Sequence, residues 1–112
     1  MLPKHWKYYL SGPITNADNP EGDFCRIEEK LRDWGYEDVV NPVFMKDIMN
    51  PDLTTRQEYL EIDFALMDLC EVVIQLPGWE ESFGSWAEYG YAKAKGISTI
   101  TLKEFAEEYG KK

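Results

Sequence analysis

The sequence predicts an α/β fold: a Rossmann-like or flavodoxin-like three-layer sandwich around a small parallel sheet of about four to five strands. Strand and helix patterns alternate from one end to the other, which is typical of parallel sheets with helices on both faces. The segment "EVVIQLPG" (71–78) is a nearly continuous apolar run, as expected for a strand buried on both sides. With 112 residues, 44% hydrophobic and 14% aromatic, the chain suits a single domain over residues 1–112.

The first half of the chain contains two strand patterns and two helix patterns. "KYYLSGP" (7–13) reads as a strand that ends in a turn, and the polar loop "ITNADNPEG" (14–22) follows. Apolar residues at helical spacing then predict a helix over 24–34, ended by Gly35. "YEDVVNP" (36–42) predicts a short strand, and a loop over 43–53 leads to a helix that begins at Thr54 or Thr55 and runs to about Cys70.

The second half repeats the alternation. After the strand at 71–78, "SFGSWAEYGYAKAKG" (82–96) reads as a helix that begins at a Ser82 cap. "ISTITL" (97–102) predicts a further strand and "KEFAEEYG" (103–110) a short helix.

Composition restricts the partners. The formal charge of −9 argues against general binding to DNA or RNA, whereas a small phosphorylated ligand can still be held at a helix N-terminus. Cys25 and Cys70 read as two reduced, buried thiols, and with a single histidine neither a metal site nor a disulfide framework is expected. No apolar run has the length of a signal peptide or a membrane span, so we expect a cytoplasmic protein of a bacterium or of a phage-infected host cell.

Ligands of such folds bind at the carboxyl ends of the strands, near the point where the strand order reverses. Three segments should meet there: the turn at 11–13, the Asn41-Pro42 turn, and "PGWEESFGS" (77–85). "SGPIT" (11–15) lacks the glycine and lysine spacing of a phosphate loop and the pattern of a dinucleotide-binding turn. This argues against an ATP-dependent or nicotinamide-dependent enzyme.

Two carboxylates stand out because each falls in an apolar or small-residue surrounding. Glu88 lies about one turn into the third helix, on the side of Gly84 and Ala92, and either points to solvent or lines the pocket. Asp63 shares the apolar stripe of the preceding helix and either reaches water at the edge of that stripe or works in its neutral form inside a pocket.

Other candidates have equally ordinary alternatives. Ser82 and Gly84 form either a modest anion site or a plain helix cap. Gly12-Pro13 is either a tight turn or the floor of a pocket, and the rings of Tyr9 and Trp79 either stack on a nucleobase or belong to the core.

The segments "YYLSGPIT" (8–15), "EEKLRDWGYEDVVNP" (28–42) and "EYLEIDFALMDLCEVVIQLPGWEESFGSWAEYGYAKAKG" (58–96) together resemble one known group. It is the small, often phage-encoded branch of the nucleoside 2-deoxyribosyltransferase-like superfamily known as a domain of unknown function, DUF4406. The resemblance covers about residues 7–100. It implies cleavage of the N-glycosidic bond of a (deoxy)nucleoside or its 5′-monophosphate, by hydrolysis or base transfer, without a metal or organic cofactor.

The resemblance also implies roles for individual residues. Glu88 matches the nucleophile, Asp63 matches the aspartate that assists at the base, and Ser82 matches the serine that contacts the 5′-phosphate in the N-glycosidases of that superfamily. The loop after the first strand, which shapes the sugar and phosphate pocket, would here supply Tyr9, Ser11, Gly12 and Pro13. We count Asn41, Trp79 and Gly84 among the substrate-binding candidates as well.

Departures from the superfamily pattern leave a second hypothesis open. The loop usually carries an aspartate where "GWEESFG" (78–84) has Glu80 and Glu81, and the stretch after the helix is "AKGIS" (94–98) rather than the usual "GKP". The chain is also short, and relatives commonly complete their sites across a dimer interface, so we expect a homodimer or larger homo-oligomer. The alternative to an enzyme is a non-catalytic protein that binds a nucleotide or a nucleotide-derived signal on the same fold.

Overall fold

The computed structural model describes residues 2–14 and 17–110; positions 15 and 16 of the predicted polar loop lie outside this range. The strands are β1 (Tyr8–Ser11), β2 (Val39–Val40), β3 (Val72–Gln75) and β4 (Ser98–Thr101). The helices are α1 (Pro20–Asp33), α2 (Arg56–Met67), α3 (Phe83–Lys95) and α4 (Leu102–Tyr109). Two 3₁₀ turns, Pro42–Asp47 and Trp79–Glu81, precede α2 and α3.

The strands form one parallel sheet in the order β2-β1-β3-β4, which confirms the predicted fold class. β1 and β3 are hydrogen-bonded in the centre of the sheet, with Tyr9 opposite Val73 and Ser11 opposite Gln75. From β1 the chain crosses to β2 at one edge of the sheet. It then crosses back to β3, which lies on the other side of β1. The strand order therefore reverses between β1 and β3, and their carboxyl ends, Ser11 and Gln75, mark the place where such folds bind ligands.

Alternating residues of β1 divide between two cores. Tyr8 and Leu10 face the layer of α1 and α4, where they join Phe24 and Phe105. Tyr9 faces the opposite layer, with Met67 before β3 and Ala92 of α3. The sheet is thus covered on both faces, which makes the three layers of the predicted sandwich.

The helix starts that matter for the site follow local chemistry. Thr55, one of the two predicted start residues, caps α2, and its side chain and that of Glu58 form a reciprocal capping box. Ser82 caps α3, where its Oγ accepts a hydrogen bond from the backbone N–H of Ser85 at 3.3 Å. These caps fix where each helix begins next to the ends of β1 and β3.

Three details differ from the sequence-based expectations. The predicted loop over 43–53 contains a 3₁₀ turn, which Asn41 caps through its side chain. Leu102 begins α4 rather than ending β4, because Thr101 and Glu104 form a capping box there. Cys70 is buried as predicted, but Cys25 is only half-buried, since the inward stripe of α1 consists of Phe24, Ile27 and Leu31.

Among the described residues, no helix has the length and hydrophobicity needed to cross a membrane.

Candidate functional site

A cavity of about 420 Å³ opens at the carboxyl end of β1, between α2 and α3. This volume is in the range of sites for small organic ligands. One wall consists of Gly12, Pro13 and Ile14 from the loop after β1, and another of residues from the 3₁₀ turn at 42–47. Residues of α2 and the first turns of α3 complete it, and they include both candidate carboxylates, Asp63 and Glu88.

Glu88 points inward. It shares the buried face of α3 with Ser85 and Ala92, and its exposed fraction is only 6%. The spacing of these three residues, three and four apart, places them one above the other on the helix surface that faces the sheet. The solvent-exposed alternative for Glu88 is therefore wrong, and its carboxyl lines the cavity.

Both oxygens of Glu88 accept hydrogen bonds from β1. The Tyr9 hydroxyl donates to Oε2 at 2.8 Å, and the Ser11 hydroxyl donates to Oε1 at 2.5 Å. Tyr9 and Ser11 are two residues apart on one strand, so their side chains leave the same face of the sheet toward α3. Two rigid, buried donors thus fix the orientation of this carboxyl group.

Asp63 lies next to this arrangement. It is half-buried on α2, lines the cavity, and its carboxyl is within hydrogen-bonding reach of Glu88 and Tyr9. Burial raises the pKa of Asp63, although the hydrogen bonds from Glu88 and Tyr9 oppose the shift. The structure therefore brings the two predicted carboxylates together as a pair.

The pair retains a proton at neutral pH. Burial, followed by the negative charge of Asp63 and a hydrogen bond with it, raises the pKa of Glu88 to about 8, against the lowering effects of Ser11 and Tyr9. A buried and a half-buried carboxyl group in contact cannot both ionise easily, so one proton is shared between them. Burial also raises the pKa of Tyr9 well above its usual value, which keeps its hydroxyl protonated as a donor.

The first turn of α3 forms part of the cavity wall. Ser82, Phe83, Gly84 and Ser85 all line it, and a Cβ at Gly84 would meet no atom of the described residues within 4 Å. The Phe83 ring is 63% exposed, and the guanidinium of Arg56 at the start of α2 lies 4.8 Å from its centroid. A cation and an aromatic ring from two helices therefore meet at the cavity wall.

Gly12 and Pro13 form the turn after β1 and also line the cavity. A Cβ at Gly12 would lie 2.8 Å from Cβ of Leu76, so a side chain at this position requires the chain to shift. The close approach of this loop to the end of β3 brings Gly12 and Pro13 into the cavity wall.

Four predicted binding residues do not line the cavity. Tyr9 and Ser11 are buried in β1, where their hydroxyls bond to Glu88.

Asn41 and Trp79 do not line the cavity either. The amide of Asn41 is used within the fold, because its Oδ1 accepts from the backbone N–H of Val43 and its Nδ2 donates to Glu28. Trp79 belongs to an aromatic cluster with Trp86 and Tyr89, whose ring centroids lie 4.8 and 5.2 Å from its own. For Trp79 the alternative of a packed ring is the one the structure shows.

Sequence reasoning missed several polar and rim residues. Ser85 precedes Glu88 by three positions, so helical spacing alone would have placed it on the same face. Gln75 interrupts the apolar run of β3, and its side chain is 4% exposed. Within the part of the chain that the structure describes, Ser85 Oγ and Gln75 Nε2 are the buried side-chain polar atoms that lack a hydrogen-bond partner. For Arg56 and Phe83 no sequence signal distinguished them from ordinary exposed residues.

Over residues 2–14 and 17–110, no group of three or more His, Cys, Asp or Glu side chains is arranged to hold a metal ion.

Comparison with known protein families gives a match for this chain. The model of one family matches residues 6–101, which is most of the chain and includes every cavity residue named above. The chain belongs to the DUF4406 family. That family is described as a domain of unknown function, so the match itself assigns no activity. No curated protein and no solved structure matches this DUF4406 chain significantly.

Proposed function

We propose that this protein cleaves the N-glycosidic bond of a (deoxy)nucleoside or its 5′-monophosphate, with Glu88 as the nucleophile. The observation that carries the proposal is the carboxyl pair in the cavity, with Glu88 held by Tyr9 and Ser11 and in contact with Asp63. A nucleophilic carboxylate and a second group that can give up a proton are what retaining cleavage of a glycosidic bond requires.

In the first step, an oxygen of the ionised Glu88 attacks C1′ of the sugar. The C1′–N bond breaks, its electron pair goes to the base nitrogen, and Asp63 supplies the proton that the departing base needs. The product is a glycosyl ester on Glu88. In the second step, water or the nitrogen of another base attacks C1′, Asp63 takes the released proton, and Glu88 is regenerated.

The hydrogen bonds from β1 support this role. The Tyr9 and Ser11 hydroxyls hold the Glu88 carboxyl in one orientation, and both act to lower its pKa. The proton that the pair shares at rest must lie on Asp63 when Glu88 attacks, and this arrangement also makes Asp63 the acid. The scheme uses no metal or organic cofactor.

The remaining walls fit the rest of a nucleotide. Exposed apolar surface of Ile14 and Phe83 offers faces against which a base can stack. The capping hydroxyl of Ser82, the N-terminus of α3 and the nearby Arg56 suit the 5′ end, with or without a phosphate.

The second candidate function is a non-catalytic nucleotide-binding protein on the same fold. The observation that favours it is the pKa of Glu88, which burial raises to about 8, because a protonated carboxyl is a poor nucleophile at neutral pH. In that case Glu88 and Asp63 would hold the hydroxyls of a ligand rather than react with it.

Release of free base distinguishes the two functions. Purified protein is incubated with the common deoxynucleosides and their 5′-monophosphates, with and without a second base, and products are separated by HPLC. An enzyme releases base, and Glu88→Gln abolishes the release while ligand still binds. The matched control is Glu80→Gln, the same change at an exposed glutamate outside the cavity, which should leave the rate unaltered. No release from any substrate, together with thermal stabilisation by a nucleotide, would establish the binding protein instead.

A further inference from the structure

Ser85 is a buried residue of the cavity that the proposed mechanism does not use. It is the third residue of α3, it is 2% exposed, and its backbone N–H is occupied by the Ser82 cap. Its side chain lies on the same inward face as Glu88, one turn closer to the start of the helix.

Among the residues that the structure describes, none is a hydrogen-bond partner of the Ser85 hydroxyl, although Ser85 lines the cavity. Folded proteins seldom leave a buried hydroxyl unsatisfied, and such a group at a cavity wall is accounted for when a ligand supplies the partner. Gln75, the other buried side chain without a partner among the residues described, lies opposite Ser11 in the sheet. Ser11 in turn bonds to Glu88. A polar group without a partner therefore lies on the helix side of the Glu88 carboxyl, at Ser85, and another on the sheet side, at Gln75.

The direction of attack decides which part of a sugar meets Ser85. Glu88 must approach C1′ from the face opposite the base, and in a natural nucleoside the 3′-hydroxyl projects from that same face. Three residues of helix separate the Cα atoms of Ser85 and Glu88 by a rise of about 4.5 Å, a distance that keeps both side chains under one furanose ring.

We propose that the Ser85 hydroxyl binds the 3′-hydroxyl of the sugar, so that the site selects monomers with a free 3′-hydroxyl. The inference rests on the proposed function, because it takes the ligand to be a nucleoside or nucleotide. A phosphodiester or phosphate at the 3′ position would place a bulky anion against a buried wall next to two carboxyl groups. Internal positions of a DNA or RNA strand are therefore excluded as substrates by the site itself, in addition to the overall charge of −9.

A binding comparison tests this contact. Dissociation constants are measured by calorimetry in the Glu88→Gln protein, which cannot turn over, for 2′-deoxynucleoside 5′-monophosphates and their 2′,3′-dideoxy counterparts. We expect the added Ser85→Ala change to weaken binding of the 2′-deoxy compounds about tenfold, the effect of losing one hydrogen bond in a buried site. Binding of the dideoxy compounds should not change. Ser98→Ala, at an exposed serine of β4, is the matched control and should alter neither.

Other results overturn the inference. Equal weakening for both compounds, or no weakening for either, shows that Ser85 does not contact the 3′-hydroxyl. The same measurement is made with 2′-deoxynucleosides that lack the 5′-phosphate. If Ser85→Ala no longer weakens binding of these compounds, Ser85 contacts the 5′ end and not the 3′-hydroxyl. Absence of binding by every compound, in the Glu88→Gln and the unsubstituted protein alike, also overturns it.

The outcome is separate from that of the proposed function. A protein that releases no base but loses affinity on Ser85→Ala only for 3′-hydroxyl compounds keeps this inference and loses the enzymatic proposal. A protein that releases base but shows no such selectivity on Ser85→Ala keeps the enzymatic proposal and loses this inference.

Discussion

Individual side chains set the protonation of the site. Glu88 accepts hydrogen bonds from Tyr9 and Ser11 and touches Asp63, and burial keeps a proton within the pair at neutral pH. The proposed reaction needs one carboxylate and one carboxylic acid at once, so only the singly protonated pair is active.

This state predicts the dependence of rate on pH. We expect kcat/KM to fall as the pH rises above about 8, because the pair then loses the proton that the departing base must receive. At low pH the rate falls too, since both carboxyl groups are protonated and no nucleophile remains. The pH–rate profile of base release measures both limbs.

Asp63→Asn tests the assignment of the acid. Loss of the acid should lower kcat by a factor of about 100 or more. The pKa of Glu88 should fall, because its negatively charged neighbour is gone, and the alkaline limb of the profile should disappear. Asp33→Asn, at the end of α1, is the control with no expected effect. An unchanged alkaline limb in Asp63→Asn would show that another group supplies the proton.

At the scale of elements, the site depends on how the loop after β1 passes the end of β3. Gly12 approaches Leu76 so closely that a Cβ would lie 2.8 Å from that residue's own Cβ, with the Phe24 ring also in contact. Because Leu76 is in the core, neither neighbour can move aside freely.

Gly12→Ala is therefore expected to lower the free energy of unfolding by about 1–3 kcal/mol, as overpacking of a core does. Gly90→Ala is the matched control, because Gly90 is an exposed position inside α3 where a Cβ meets no atom within 4 Å in the part of the chain that the structure describes. There the higher helix propensity of alanine should raise the free energy of unfolding by about 0.5–1 kcal/mol. Urea denaturation measures both, and equal effects of the two substitutions would contradict the account of the loop.

Local chemistry explains which elements and residues could be predicted from the sequence. Caps such as Thr55 and Ser82 depend on residues three positions apart and could be predicted. Helical spacing placed Glu88 on the side of Ala92, but it left open whether this side faces solvent or the pocket. Asn41 and Trp79 could not be placed in this way. Each lies in an irregular segment, where the direction of a side chain depends on tertiary partners such as Glu28 or Trp86. The pairing of Glu88 with Tyr9 and Ser11 joins positions 77 to 79 residues apart, which spacing along the chain does not reveal.

At the scale of the whole molecule, the buried carboxyl pair links stability to pH. The folded-state pKa of Glu88, about 8, is above the usual 4.5, so the folded protein holds this proton more tightly than the unfolded chain. The resulting stabilisation is complete below about pH 4.5 and is lost as the pH rises toward about 8.

Glu88→Gln removes this dependence. We expect the variant to gain stability relative to the unsubstituted protein as the pH rises, with a difference that grows by about 2 kcal/mol between pH 6 and pH 8. Urea denaturation at a series of pH values measures the difference, and Glu80→Gln is the control without a trend. A constant difference across this range would mean that Glu88 ionises in the folded protein at its ordinary pKa.

In the proposed mechanism Glu88 forms a covalent bond to the sugar, and mass spectrometry can detect this bond. Protein mixed with a substrate that yields free base is quenched in acid within one turnover and digested. We expect a glycosyl adduct on the peptide that contains Glu88, and no adduct in the Glu88→Gln protein. Base release without an adduct, or with an adduct on another residue, would contradict the role of Glu88 as nucleophile.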